Sequence, residues 1–320
     1  MIRALVVTLL LSLCGTAIAQ PYPDRPVRIV VPYPPGGVDV LFRALSLQLS
    51  AKWGQPVVVE NRPGAGAIIG TNEVARAAPN GYTLLATIDS PLVGNRFLYK
   101  TLPYDPDASF APVSLVVEAD LMVLVHPDVP VRNLRELVDH VKKQPPRSVR
   151  FGSFGRGSPA DLIFGTLNAR EKIGIEGIPY RGVSASIVAA MAGEVQLATG
   201  GVTSAGAFVR DGRLRLVSML GEKRSPHFPD VQTSTEQGFP YLRAGVWYGL
   251  FAPAGTPKPI VDRISRDVTE ILNTAEFRDK HVTQMGLTPI AGGPDALARR
   301  IKSDSERMGA MVRAIGIEPE

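Results

Sequence analysis

Four glycine- or hydroxyl-rich turns contain the residues of this sequence that could bind a ligand directly. They occupy residues 34–39, 64–66, 153–157 and 180–184, and each stands at the end of a predicted strand. Backbone N–H groups in such turns, together with the partial positive charge of a following helix N-terminus, favour a small anion. Each turn alone could need glycine only for its backbone shape. Because four of them occur at strand ends, we interpret them as parts of one binding cleft.

The first of these turns is the most informative. A β-branched strand at 27–31 leads into the sequence Pro-Pro-Gly-Gly at 34–37. A helix pattern follows, in which Leu41, Leu45 and Leu49 share one face at a spacing of four residues. A glycine turn before a helix can hold an anion but provides neither a metal ligand nor a nucleophile. The turn therefore indicates capture of a small acid.

Motifs for catalysis and metal binding are missing. The four histidines lie far apart, so none pairs with another at the spacing of a metal site. The sequence contains no Gly-x-Ser-x-Gly elbow and no Gly-Lys-Ser/Thr phosphate loop. We therefore predict no catalytic residue, no metal site and no cofactor.

One motif could indicate a nucleotide. Residues 155–160 match the dinucleotide fingerprint with Ala in the last position, and Glu176 stands where its acidic residue is expected. However, Pro159 lacks a backbone N–H, and Asp161 places a carboxylate beside any pyrophosphate. We therefore interpret this turn as a cradle for a smaller ligand.

The N-terminus has the pattern of a secretory signal peptide. Arg3 is its basic residue, 5–13 its apolar segment and 17–19 its small-residue cleavage site, so we predict export and cleavage after Ala19. The single cysteine, Cys14, lies in this segment. It could instead be the anchored residue of a lipoprotein, but the Ala-Ile-Ala site lies downstream of it. The mature chain then contains no disulfide.

The charge pattern argues against nucleic acid as a partner. The 320 residues include 35 Lys and Arg against 30 Asp and Glu, and the basic residues are scattered rather than interleaved with aromatic residues. This mild positive charge is compatible with attraction of an anionic ligand.

Strand and helix patterns alternate in two sets, which predicts an α/β fold. The first set begins with the strand at 27–31, and the second begins with a strand at 121–125. A last amphipathic helix is predicted at about 295–315. We predict two α/β domains joined by two crossing strands, near 121–125 and 247–252, with a ligand cleft between them. The predicted boundaries are 1–19 for the signal peptide, 20–122 and 250–320 for domain 1, and 123–249 for domain 2.

Several ordered motifs, among them the Pro-Pro-Gly-Gly turn, resemble those of the Bug receptors, the substrate-binding proteins of tripartite tricarboxylate transporters. They lie at 22–37, 54–66, 80–85, 102–106, 179–182 and 249–257, and so cover nearly the whole mature chain. The resemblance implies a two-lobed, type II-like periplasmic binding protein that closes on a small organic acid. We expect a monomer that delivers the acid to membrane subunits of a transporter, or alternatively to a sensor protein. A secreted enzyme acting on small acids is the alternative from a different class.

The resemblance also implies which groups hold the ligand. Main-chain groups and ordered waters from two loops of domain 1 bind the ligand carboxylate, and a Ser-x-Gly-x-Gly turn of domain 2 faces them. The predicted ligand-binding residues are Pro35, Gly36, Gly37, Val38 and Asp39; Gly64, Ala65 and Gly66; Thr87, Asp89 and Ser90; and Ser153, Gly155, Gly157, Asp161, Tyr180 and Gly182.

Two further predictions concern single residues. The first turn is one residue shorter than in most members of the family, so we predict that Asp39 is the N-cap of the following helix. Trp247 stands near the predicted second crossing, and we interpret it as packing at the hinge, with stacking on the ligand as the alternative.

The charge of the ligand depends on two aspartates. Asp89 and Asp161 could face the cleft and repel a second carboxylate, unless each pairs with Arg156, Arg181 or an amine of the ligand. This predicts a monocarboxylate, with an amine or ring nitrogen as one option, rather than citrate. Alternatively, both aspartates cap turns outside the pocket.

Overall fold

The computed structural model describes residues 22–154 and 157–319. The predicted signal peptide at 1–19, the predicted ligand residue Gly155 and the candidate charge partner Arg156 therefore lie outside the described residues. Ten strands in the described ranges form one mixed sheet, and one long strand divides this sheet into two halves.

The first half of the sheet is built from two parts of the chain. One part precedes the second predicted set of strands and helices, and the other follows it. Its elements are β1 (Val27–Val31), α1 (Gly37–Trp53), β2 (Val57–Asn61), α2 (Ile68–Ala75), β3 (Thr83–Ile88), α3 (Asn95–Leu98), the first part of β4 (Phe110–Val125), β9 (Gly245–Pro253), α8 (Lys258–Leu272), α9 (Ala275–His281), β10 (Thr288–Gly292) and α10 (Pro294–Ile315). The strand order is β2-β1-β3-β9-β4, and β10 also pairs with β4.

Helices cover both faces of this half, which explains why its parallel strands are largely apolar. Ile29 of β1 packs with α1 and α8 on one face, whereas the next residue, Val30, packs with α2 and α10 on the other. The predicted helix face of Leu41, Leu45 and Leu49 is fully buried, which confirms that prediction.

The second half is built from the residues between the two crossings. Its elements are the second part of β4, α4 (Leu134–Lys142), β5 (Arg150–Ser153), α5 (Pro159–Glu171), β6 (Glu176–Pro179), α6 (Val183–Met191), β7 (Leu197–Gly201), α7 (Val202–Arg210) and β8 (Arg215–Met219). Strands follow the order β4-β7-β5-β6, and β8 pairs with β4. Asn133, the polar residue before α4, accepts a hydrogen bond from the Glu136 N–H at 2.8 Å and so caps this helix.

Both crossings lie where β4 changes partners. Asp120 pairs with Gly245 of β9 in the first half, and Leu121 pairs with Gly201 of β7 in the second. The chain returns at Ala244, whose N–H bonds to the Leu220 carbonyl just before Gly245 joins β9. The second crossing therefore precedes the predicted position at 247–252, because those residues already pair with strands of the first half. The α/β fold with two crossing strands is confirmed.

The final helix, α10, contacts both halves of the molecule. It packs on β4 of the first half and on α5 of the second. Gly165 of α5 lies so close to Ile315 that a Cβ atom at position 165 would lie 2.8 Å from the Ile315 Cγ2 atom. Leu162, Met311 and Val312 form one buried cluster at this contact. None of the helices in the described ranges is long and apolar enough to cross a membrane.

Candidate functional site

A cleft of about 740 Å³ lies between the two halves. Its lining residues are Pro32, Tyr33, Pro34, Pro63, Gly64, Ala65, Gly66, Ala67, Ser90, Asn95, Leu98 and Tyr99 from the first half, Phe154, Gly157, Ser158 and Pro159 from the second, and Ile317 and Glu318 near the C-terminus. Backbone turns and apolar or uncharged side chains dominate this lining. Glu318 is the one charged side chain among the described lining residues.

The turn before α2 forms one wall of the cleft with an unusual backbone. Gly64, Ala65, Gly66 and Ala67 all have positive φ, at 135°, 47°, 60° and 71°. Two alanines in the left-handed region each cost about 1–2 kcal/mol, so surrounding contacts must hold the turn in place. Asn95 provides one such contact, because its Nδ2 atom donates to the Gly66 carbonyl at 3.0 Å.

A tyrosine restricts the same turn from the other side. A Cβ atom at position 66 would lie 2.6 Å from the Tyr99 hydroxyl oxygen, so any larger residue there requires the Tyr99 side chain to move. Three of the predicted ligand residues, Gly64, Ala65 and Gly66, therefore line the cleft on a turn held by Asn95 and Tyr99. Their contact with a ligand stays a prediction.

The Pro-Pro-Gly-Gly turn lies at the rim of the cleft. Pro34 lines the cavity, whereas Pro35, Gly36 and Gly37 are exposed beside it. The helix α1 begins at Gly37, and no side chain of the described residues caps it. Its first N–H groups consequently lack the side-chain partner that most helices have. Val38 is buried against the first core.

Asp39 is not the N-cap of α1, so that prediction is wrong. Gly36 holds the N-cap position, and Asp39 lies inside the first turn. There its position four residues before Arg43 lets the Oδ1 atom accept a hydrogen bond from the Arg43 Nε at 2.9 Å. Arg43 also donates to Asn61 at 2.8 Å. The buried Asp39 carboxylate is thus neutralised within the protein.

Residues after β3 divide between the cleft and the interior. Ser90 lines the cleft, but Thr87 is fully buried and shares a 3.2 Å hydrogen bond with the Tyr33 hydroxyl. Asp89 lines a separate pocket of about 60 Å³ together with Asp304. Burial, with a smaller contribution from the like charge of Asp304, raises the pKa of Asp89 to about 7.

The turn after β5 forms the opposite wall and closely approaches the first half. A Cβ atom at Gly157 would lie 2.6 Å from the Leu98 Cδ2 atom, so the two halves touch at this point. Ser153 and Asp161 lie directly behind this turn, and the Asp161 carboxylate accepts hydrogen bonds from the Ser153 hydroxyl and the Gly157 N–H. Ser158 caps α5 by accepting from the Asp161 N–H at 3.3 Å.

Tyr180 and Gly182 lie beside the cleft rather than in its lining. The Tyr180 N–H bonds to the Ser153 carbonyl at 2.7 Å, and its hydroxyl donates to Glu194 at 3.3 Å. Gly182, with φ of 102°, begins α6 and has open space above its Cα atom. These two residues follow the same sheet edge as Ser153 but continue away from the cavity.

Several lining residues were not predicted from the sequence. Asn95, Leu98 and Tyr99 follow a short π-helix, Ser90–Gly94, which carries the chain from β3 along the cleft. In the segment directly after β3, the sequence predicted ligand-binding residues only up to Ser90. Ile317 and Glu318 follow the end of α10, and no local pattern distinguishes them from an ordinary chain terminus.

Trp247 packs at the crossing and does not line the cleft. It is fully buried, and its Nε1 atom donates to the Asp304 Oδ2 atom at 2.9 Å. The interpretation as a packing residue is therefore confirmed, while its role at a hinge stays a prediction.

Comparisons with known proteins agree with this architecture. The family model described as "Tripartite tricarboxylate transporter family receptor" matches residues 41–317. BugT of Bordetella pertussis is 35% identical over 300 residues, which cover 93% of this chain and 91% of BugT. The structure of the periplasmic binding protein BugD is 31% identical, has a TM-score of 0.73, and covers 93% of this chain and 100% of that chain.

A further solved structure contains a ligand. MatC from Rhodopseudomonas palustris, solved with bound malate, is 30% identical with a TM-score of 0.72. The match covers 91% of this chain and 100% of MatC. Fold, cleft and sequence thus lead to one assignment: the chain belongs to the family of tripartite tricarboxylate transporter receptors.

Proposed function

We propose that this protein binds a small organic acid by its carboxylate in the interlobe cleft and presents it to the membrane subunits of a tripartite transporter. The observation that carries the proposal is the glycine turn at 64–67, whose strained backbone is held against the cleft by Asn95 and Tyr99. The malate bound by MatC supports a carboxylate as the ligand group. Because family members are receptors, we propose binding without chemical turnover.

Backbone groups of the first half hold the carboxylate in this proposal. The uncapped N-terminus of α1 offers the N–H groups of Gly37 and Val38, and the partial positive charge of the helix adds to their attraction. The 64–66 turn and Ser90 lie on the same side of the cleft. Hydrogen bonds to a charged acceptor contribute about 1.5–3 kcal/mol each, so a few suffice without a basic side chain. Asp39 does not oppose the ligand, because Arg43 neutralises it.

The two crossings and the contact of Gly157 with Leu98 support a closing motion. Residues 120–121 and 244–245 are the two places where the chain passes between the halves, which is the arrangement of a hinge. When the halves approach, water leaves the cleft and the hydrogen bonds to the carboxylate strengthen. We propose Gly157 and Ser158 as the residues that meet the ligand from the second half.

The proposal also includes where the protein acts and how its chain is divided into domains. We propose that residues 1–19 direct export and are removed after Ala19, so that a monomer acts in the periplasm. We also propose two domains, in which the first predicted boundary at 122–123 is retained and the second is moved from 249–250 to 244–245, because residues 245–253 pair with strands of the first half. The change of partners between Asp120 and Leu121 supports the first of these boundaries.

The first experiment is native mass spectrometry of the protein purified gently from the periplasm. We expect one small carboxylic acid bound per chain, and its mass identifies the ligand. If the protein is empty, a thermal-shift screen of mono-, di- and tricarboxylates follows. Stabilisation by none of them contradicts the proposal.

A pair of glycine variants then tests the site. Gly66→Ala places a methyl group against the Tyr99 hydroxyl, and we expect at least a ~10-fold loss of affinity for the identified acid, about 1.4 kcal/mol. Gly212→Ala is the matched control, because Gly212 has a similar φ of 69° but open space around it, far from the cleft lining. Equal affinity of the two variants would show that the 64–67 turn does not bind the ligand.

A further inference from the structure

A carboxylate of the chain itself occupies the glycine turn of the second half. The Asp161 carboxylate accepts from the Gly157 N–H and from the Ser153 hydroxyl. Asp161 is half-buried directly behind Gly157, which lines the cleft. The Gly157 N–H therefore already has an anionic acceptor within the protein, and a carboxylate lies directly behind this wall of the cleft.

The two halves of the cleft differ in how their acidic residues are compensated. In the first half, Arg43 neutralises Asp39 at 2.9 Å. In the second half, no basic side chain of residues 22–154 or 157–319 forms an ion pair with Asp161, and burial raises the pKa of its carboxyl. Glu318, the one charged residue among the described residues that line the cleft, adds a second negative group to it. The cleft thus combines an anion-attracting side with an anion-repelling side.

We propose that Asp161 determines the charge class of the ligand, which has one carboxylate on the side of the first half and a hydrogen-bond donor, an ammonium or a hydroxyl group, on the side of the second half. This inference rests on the proposed function. An Asp carboxylate has about four acceptor sites, so Asp161 can still accept from a ligand after binding Gly157 and Ser153. A second ligand carboxylate about 7 Å from Asp161, at an effective dielectric constant of about 20, is repelled by more than 10-fold in affinity.

The test uses matched acids of four to six carbons. For each chain length, the ω-amino acid, the ω-hydroxy acid and the α,ω-diacid are titrated by calorimetry against the unmodified protein. We expect the amino or hydroxy acid to bind at least ~10-fold more tightly than the diacid of the same length. The ω-amino and ω-hydroxy compounds distinguish a cationic from a neutral donor.

Asp161→Asn is the informative variant, because its amide oxygen can still accept from the Gly157 N–H. The helix cap does not change, since Ser158 accepts from the backbone N–H of residue 161. We expect the preference over the diacid to fall by about 10-fold. Glu136→Gln is the control: Glu136 occupies the same position in α4 of the same half, where it accepts from the Arg132 N–H at 2.7 Å, but it is exposed outside the cleft lining. This control should leave the preference unchanged.

The outcomes separate the two proposals. If the unmodified protein binds a diacid as tightly as its matched amino and hydroxy acids, the inference is overturned while carboxylate capture stands. The same holds if Asp161→Asn and Glu136→Gln retain equal preferences. If no acid of any class binds, carboxylate capture fails, and the inference fails with it. The comparison within the unmodified protein decides the question even if Asp161→Asn does not fold.

Discussion

The indole N–H of Trp247 donates a hydrogen bond to the Oδ2 atom of Asp304 at 2.9 Å and so ties β9, just beyond the second crossing, to α10. Arg300 donates its Nε to the same oxygen at 2.8 Å and its terminal nitrogens to Glu118 of β4. Arg307 donates to the other oxygen of Asp304 at 2.6 Å. The two strands next to the crossings, β4 and β9, are therefore held against one helix by a largely buried charge network.

Removal of the central arginine should strongly destabilise the protein. Arg300→Met leaves Glu118 and Asp304 as buried carboxylates with less compensation, and breaking a buried ion pair costs about 3–5 kcal/mol. Urea unfolding followed by circular dichroism measures the free energy of unfolding. Lys258→Met is the control, because Lys258 pairs with Asp262 at 2.6 Å on the exposed surface, where such pairs contribute little. Equal stability of the two variants contradicts a structural role for the network.

The pH dependence of stability should change when Asp89 is replaced. Its pKa of about 7 in the folded protein exceeds the ordinary value of 3.8, so the folded state binds more protons between these values. Stability from this group is therefore present below about pH 4 and is lost as the pH rises to about 7. Asp89→Asn should raise the melting temperature at pH 8 and lose this advantage at pH 4. Some slope remains in the variant, because burial, with Glu118 nearby, raises the pKa of Asp120 to about 6.

The control for that experiment is Asp139→Asn, an exposed aspartate on α4. The effect specific to Asp89 is the difference in melting temperature between the Asp89→Asn and Asp139→Asn variants at each pH value. An Asp89→Asn variant with a pH-independent effect would show that the Asp89 carboxyl is already ionised in the folded protein near neutral pH.

A methyl group at the contact between the halves should impair closure. Gly157→Ala introduces a Cβ atom 2.6 Å from Leu98 and also strains a residue with φ of 75°. We expect weaker binding of the identified acid, and partial recovery in the Gly157→Ala/Leu98→Ala double variant, because only the steric part is relieved. Calorimetric titration of the single and double variants measures this coupling. Additive effects, with no recovery, would mean that Leu98 and Gly157 do not meet in the closed state.

Loss of the Tyr180 hydroxyl should leave ligand binding unchanged. That hydroxyl donates to Glu194 beside the cleft, and Tyr180 is absent from the described lining. We expect Tyr180→Phe to bind the identified acid within about two-fold of the unmodified protein, a difference below 0.5 kcal/mol. A 10-fold loss would place Tyr180 among the ligand-binding residues predicted from the sequence.

Local elements of this protein follow from its sequence because their causes lie within a few residues. The apolar run at 27–31 forms β1, the Leu41, Leu45 and Leu49 face is buried in α1, and Asn133 caps α4 through Glu136. Each depends on hydrogen bonds or side-chain periods that span at most a turn or two of helix. The family motifs cover most of the mature chain, and their resemblance to known receptors predicted the two-lobed fold as well.

Single positions were harder to assign when another partner competed with the local rule. Asp39 is a good helix cap by residue type, but Arg43, four residues later on the same helix, and the buried setting of the first turn make it an ion-pair residue instead. The second crossing was expected at 247–252, but pairing with β4 begins at Gly245. Here the local sequence allowed two arrangements, and the long-range pairing of strands selected one.

The sequence by itself determined the strands, the helices and the glycine turns, because backbone preference and apolar periodicity are local properties. Only the tertiary structure decided which turns meet. Leu98 touches Gly157, and Ile315 touches Gly165, although these pairs are separated by 59 and 150 positions in the chain numbering. Such contacts depend on the order of strands in the sheet and on where β4 changes partners. For this reason the turn at 64–67 lines the cleft, while Tyr180 and Gly182 do not.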